Sequence, residues 1–106
     1  MSEDELKRIK DQEHNEVRPK ISRAARAEAL LGDDMLQAAF ADLESGLMDM
    51  WRKSSPDENE KREDCWRCLD LLSAVKKALT KHIDTGKLAR RDLEELTRRR
   101  EALEKH

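Results

Sequence analysis

The chain has 106 residues, 43% of them charged and 37% hydrophobic, with one Phe, two Trp and no Tyr. This length holds one domain or less, and this composition builds only a thin core. Lys and Arg total 22 against 24 Asp and Glu, a formal net charge of −2, so no global positive field marks the chain as a nucleic-acid binder.

The apolar residues are mostly Leu, Met and Ala at helical spacing, interrupted by only three Gly and two Pro. That is the composition of long, exposed helices rather than of a disordered chain. The opening "MSEDELKRIK" lacks the apolar stretch of a secretory signal. No apolar run approaches the ~20 residues needed to span a bilayer. A cytoplasmic protein with reduced thiols is the expectation.

Residues 1–19 read as a polar arm, mobile or helical only when a partner packs on it. Leu6, Ile9 and Val17 are too loosely spaced for a helix stripe, and Pro19 ends the segment. From Lys20 to Leu31, Ile21, Ala24, Ala25 and Leu31 suit a short helix with an Ala-rich contact face, stopped by Gly32. Asp33 or Asp34 caps the next helix. Its positions Leu36, Phe40, Leu43, Leu47 and Met50 step by four and three, the alternation of a packed seam. Gly46 sits inside that helix at a cost of about 1 kcal/mol relative to Ala.

Ser55-Pro56-Asp57-Glu58 matches a helix start, with Ser55 as N-cap, Pro56 in the first turn and Glu58 three past the cap. The helix from Pro56 carries Cys65, Leu69, Leu72, Val75 or Lys76, Leu79 and Ile83, and ends at Gly86. At 1.5 Å per residue it is ~43 Å long against roughly 28 Å for its predecessor, so its overhang must pack on something else. A final segment, 87–105, carries Leu88, Leu93, Leu96 and Leu103, with Arg100 where an apolar residue is expected. So few anchors do not hold a helix alone.

"CWRC" places Cys65 and Cys68 at C-x-x-C spacing. One pair is half of a structural zinc site, and the histidines lie at no ligand spacing. Both cysteines therefore read as small apolar seam residues. Four cysteines meeting across a dimer are the alternative. A helix starting at Pro56 puts Trp66 inside the hairpin, opposite residues near Ala41 to Leu43. It leaves Trp51 near the tip, beside Met48 and Met50, as the candidate exposed anchor.

Residues 87–106 are the most basic stretch. Arg90, Arg91, Arg98, Arg99 and Arg100 are the candidate phosphate contacts, and Asp92, Glu94, Glu95 and Glu101 at i+3 and i+4 are their competing partners. No Gly-rich phosphate loop or zinc-finger pattern accompanies them, and aromatics for base stacking are lacking. Asp33 and Asp34 after "ALLG" would repel phosphate, which argues against a DNA-binding helix-turn-helix there. No Ser/His/Asp constellation or H-E-x-x-H stands in a catalytic setting. No catalytic, metal or cofactor residue is assigned.

The stretch from Ala24 to Ala89 holds a short Ala-rich helix with "LL", an "AF…LE…W" helix, a polar turn with Pro56, and "IDTGKLA". In this outline it resembles small helical proteins encoded by tailed phages and prophages beside packaging or head genes. More weakly, it is similar to the small subunits of phage terminases, whose central helical hairpin assembles into a ring. The resemblance implies an oligomer in the cytoplasm of an infected or lysogenic bacterial host. It also implies a protein partner such as a packaging motor.

The expectation is thus an all-α fold. An antiparallel helical hairpin of about 33–53 and 56–85 is braced by a helix over 20–31, and 87–105 forms a charged C-terminal helix. By domains, 1–19 is the arm, 20–86 the hairpin and 87–106 the tail. The expected oligomer or partner interface comprises Leu36, Phe40, Leu43, Leu47, Met50, Trp51, Leu79 and Ile83. The expected function is a non-enzymatic oligomeric protein of phage assembly, most specifically a small terminase-like DNA-packaging factor. The alternative is a regulatory module that binds a host or phage protein through one helical face.

Overall fold

The computed structural model describes residues 2–105, with side-chain surroundings from Glu3 onward. Among them the chain is all-helical and without strands. It comprises α1 (Ser2–Gln12), a π-helical turn (Glu13–Val17), α2 (Arg18–Leu31), α3 (Asp34–Lys53) and α4 (Asn59–Glu104). Two compact units form. One joins the residues up to Glu28 with those from Thr80 onward; the other is Ala29–Leu79.

In the terminal unit the expected arm is helical, and α1, the π turn and α2 follow without a break. Pro19 does not end the helix. A proline in a helix interior cannot donate to the carbonyl four residues back, and its ring presses on that carbonyl. Here the turn just before it is widened. The Arg18 N–H reaches back five residues to the Glu13 carbonyl, and such a one-turn π-bulge is a known way to absorb an interruption. The partner that the arm needs is the chain's own C-terminal segment. Ile9, Val17, Ala89 and Leu96 form the buried core, with Ile21, Leu93 and Leu103 packed against it.

The helix expected over 20–31 divides between the two units. Its residues up to Glu28 belong to the terminal unit, where Ala24 and Ala27 are buried. Gly86 is likewise not a terminator, since α4 runs through it for 46 residues. Gly86 is buried, and a Cβ there would run into the Ala24 side chain and come within 3.5 Å of the Lys20 carbonyl oxygen. The glycine is needed for close helix approach, which is why it is tolerated inside a helix. The overhang of the long helix is thereby covered along its second half by α1 and α2.

In the central unit, α2 ends at Leu31 as expected. No glycine among the described residues has a positive φ, so Gly32 is not a left-handed cap. Side chains close the turn instead. Asp33 Oδ1 accepts from the Leu36 N–H at 2.9 Å, and Gln37 Nε2 donates to the Leu31 carbonyl at 2.7 Å. Asp33 is therefore the N-cap of α3.

The start of α4 differs from the expected register. Ser55–Glu58 is a turn with Pro56 at its second position, closed by Glu58 N–H to Ser55 carbonyl at 3.0 Å. Helical bonding begins with the Arg62 N–H on the Glu58 carbonyl. Half of the capping box forms: Glu58 Oε1 accepts from the Ser55 backbone N–H at 3.0 Å and from its hydroxyl at 2.8 Å. Ser54, buried beside this turn, donates its hydroxyl to the Trp51 carbonyl and receives Arg62 Nε at 2.9 Å.

Two predictions follow from these backbones. Gly86→Ala should destabilise the fold by about 1–3 kcal/mol in urea unfolding, because Ala24 has no rotamer to move away. Ala24→Gly in the same chain should recover part of that loss. Second, the Ser55 N–H, the Ser55 hydroxyl and then Lys61 hold the Glu58 carboxyl below its ordinary value of 4.5. A depressed folded value means that the stabilising contribution is present above the unfolded value and is lost as pH falls through the folded one. Carboxyl NMR titration should place Glu58 below 4.5, and Ser55→Ala should move it upward.

Candidate interaction surface

Within the central unit α3 lies antiparallel to the first part of α4. Glu44 meets Lys76 at 2.7 Å, while seven residues later on α3 the Trp51 ring meets the Arg62 guanidinium, 4.8 Å from its centroid. The α4 face toward α3 is Arg62, Cys65, Leu69, Leu72, Lys76 and Leu79, each buried or half-buried, at steps of three and four. Two of these six are cations. Lys76 also lies 5.2 Å from the centroid of Phe40. The Lys76–Glu44 pair is nearly half exposed, so it contributes at most ~1 kcal/mol and chiefly sets which residues face each other.

Of the expected interface residues, Leu36, Phe40, Leu47 and Leu79 are half-buried against the helix pair, and Ile83 is half-buried in the terminal unit. Leu43, Met50 and Trp51 are exposed. Leu43 and Leu47 join Cys68, Leu71, Leu72 and Val75 in lining a shallow apolar groove along one side of the pair. Leu71 is 65% exposed and Leu43 54%. On α3 the same flank continues through Met35, Ala39, Gly46 and Met50, and on α4 through Ala78, by helical spacing. All of these five are exposed and uncharged, and Glu44, Asp49 and Arg52 border the flank at Gly46.

Leu71 is a functional candidate that the seam pattern passed over, and Val75 and Cys68, read there as seam residues, lie exposed beside it. Their signal was present as a second apolar row beside the first, at 68, 71, 75 and 78. Only Cys65 of the "CWRC" pair is a seam residue; Cys68 is exposed. No group of three or more His, Cys, Asp or Glu among the described residues could hold a metal ion.

Of the two tryptophans, Trp51 is exposed as expected and Trp66 is not where it was expected. Trp66 is not inside the helix pair but 69% exposed. Cys65 occupies the seam, and the next residue on a helix points about 100° away from it. Trp51 is also exposed, with one ring face covered by Arg62.

The basic residues divide three ways. Arg98 and Arg99 are exposed and pair with Glu95 at 3.4 and 3.7 Å. Arg90 and Arg91 are exposed. Arg100 turns inward: its Nη1 lies 3.1 Å from both carboxylate oxygens of Glu13. That carboxylate is only 8% exposed and also faces Arg18 at 3.6 Å. Arg100 therefore stands in the seam as a structural cation and is not presented with the other arginines.

Comparison with known proteins finds no matching family model, no matching curated protein and no matching solved structure. No helix among the described residues is long and apolar enough to cross a membrane.

The ion pair has an asymmetric expectation. The Glu13 side chain is more deeply buried than that of Arg100, at 8% against 27% exposure. Arg100→Met leaves the buried carboxylate with Arg18 alone, at 3.6 Å, and should cost about 2 kcal/mol; Glu13→Leu leaves a cation that reaches water and should cost less. Glu13→Leu with Arg100→Leu should recover to within about 1 kcal/mol of the parent, read by urea unfolding.

Proposed function

We propose that this protein is non-enzymatic and self-associating, a helical scaffold or adaptor of tailed-phage assembly in the bacterial cytoplasm. Its most specific role is that of a small terminase-like packaging factor. The observation that carries the reading is the uncharged, exposed apolar flank of the α3–α4 pair. A monomer leaves this flank wet, and exposed apolar patches of this kind mark interaction sites. The phage setting is supported by the sequence outline between Ala24 and Ala89.

Contact with DNA is a secondary feature of this reading. Arg90 and Arg91 are the arginines of the tail for which no acidic partner is seen among the described residues. Such contact is weak, nonspecific and salt-sensitive. The second reading, a module that docks one helical face on a host or phage protein, is favoured by Trp66. This ring is exposed away from the apolar groove, and aromatic side chains are enriched at interfaces.

Light scattering across a concentration series tests the first reading. A ring of many copies sustains the packaging role. A mass of one or two chains throughout overturns the ring in favour of the docking module. Retention of duplex DNA should appear at low salt, fall as salt rises, and weaken in Arg90→Ala/Arg91→Ala. Indifference to DNA at low salt removes the phosphate role of these residues.

A further inference from the structure

We propose that the apolar flank of the α3–α4 pair seats a second copy of this chain, the two copies meeting by the same face about a twofold axis. The inference rests on the self-association proposed above and not on the phage setting.

The area is sufficient. Met35, Leu43, Met50, Leu71 and Val75 are each between 48% and 77% exposed. Taking on the order of 100 Å² for one large apolar side chain, these five offer about 300 Å². Leu47, Leu72, Cys68 and the small residues between them raise this to roughly 500 Å² per copy. Two copies then bury about 1,000 Å², the lower bound for a specific interface.

The face is also complementary to itself. An isologous contact places each residue row against its own twin or its neighbour, so a charge in the rows would meet its like. Met35, Ala39, Leu43, Gly46 and Met50 on α3, and Cys68, Leu71, Val75 and Ala78 on α4, hold none. A partner of strong charge gains nothing from such a surface; a second apolar groove of the same shape does.

Gly46 gives the independent observation. A helix-interior glycine destabilises relative to alanine. Gly86 is explained by Ala24 pressing against it, but a Cβ at Gly46 would meet nothing within 4 Å of its own chain. Gly46 lies at the edge of the exposed flank, where Glu44, Asp49 and Arg52 line the neighbouring surface. Its missing side chain would let a second copy approach closely.

Sedimentation velocity over a concentration series tests the pairing with three chains. The parent should shift toward a two-chain mass, and Leu43→Glu/Leu71→Glu should stay at one chain with unchanged helical circular dichroism. Gly46→Ala should melt at higher temperature when dilute yet pair several-fold more weakly. Should the glutamate variant misfold, maleimide labelling of Cys68 in the parent reads the same contact, slowing several-fold as concentration rises.

A parent that remains a single chain overturns the inference. So does a glutamate variant with the parent's mass, a Cys68 rate independent of concentration, or a Gly46→Ala chain that pairs more tightly. A many-chain assembly untouched by Leu43→Glu/Leu71→Glu sinks this pairing and leaves the packaging reading standing. A two-chain mass without DNA retention supports the pairing and sinks the packaging reading.

Discussion

The terminal unit depends on one contact, the buried carboxylate of Glu13 beneath the guanidinium of Arg100. Glu13 fills the position between Ile9 and Val17, and Arg100 the position between Leu96 and Leu103. Each breaks an apolar stripe. A buried carboxylate is costly unless a cation meets it, and sliding the helices by one turn would strand both charges among Ile, Val and Leu. The pair adds little net stability over an apolar substitute, but it penalises every other register. The π turn belongs to the same solution. Consecutive steps of four from Glu13 to Val17 to Ile21 would each rotate the stripe ~40° around an ideal helix, and the widened turn takes up part of that drift.

Around this contact the chain compensates for its few large apolar residues by approaching closely. Ala24, Ala27, Gly86 and Ala89 are buried with almost no side chain to bury. What they contribute is proximity. Two backbones brought near each other make many weak dispersion contacts, small singly and substantial together. The central unit has no such arrangement. Its seam holds Leu69, Leu72 and Leu79 but also Arg62 and Lys76, and its large side chains fall partly outside the seam. One unit hides its polar residues within a tight pair, while the other leaves apolar residues on its surface.

That difference explains what was legible in the sequence. The helix from Asp34 to Lys53 was readable because its signals are local: an Asp cap, a 4-3-4-3 stripe and a polar turn with Pro56. The all-helical class followed from composition. What failed depended on distant residues. Pro19 and Gly86 are breakers by propensity, yet each is accommodated, one by a widened turn and the other by Ala24. The arm looked stripeless because its missing position is Glu13, and the tail looked weak because its missing position is Arg100. Neither gap has a meaning until the two are opposite each other. Trp66 was misplaced because Cys65 takes the seam position, which turns the next residue about 100° away from it. At Ser55–Glu58 the turn closes first and the helix begins after it.

The distribution of charge also bears on what the central unit is for. A two-helix pair that had only to be a soluble monomer would place its cations outside and its leucines inside. Here Lys76 and Arg62 occupy the seam, each held by a specific acceptor, while Leu71 and Leu43 are more than half exposed. Polar seam residues fix the pairing of α3 on α4 at little gain in stability. Much of the unit's apolar area is still wet. Covering Leu43, Leu71 and Val75 would add stability, and the groove they line is already held in shape by Glu44 on Lys76 and Ser54 on Arg62. A surface fixed before its partner arrives loses less freedom on binding. The polar seam and the bare apolar flank are therefore two parts of one arrangement: the first sets which faces of α3 and α4 meet, and the second is the surface that the proposed pairing would cover.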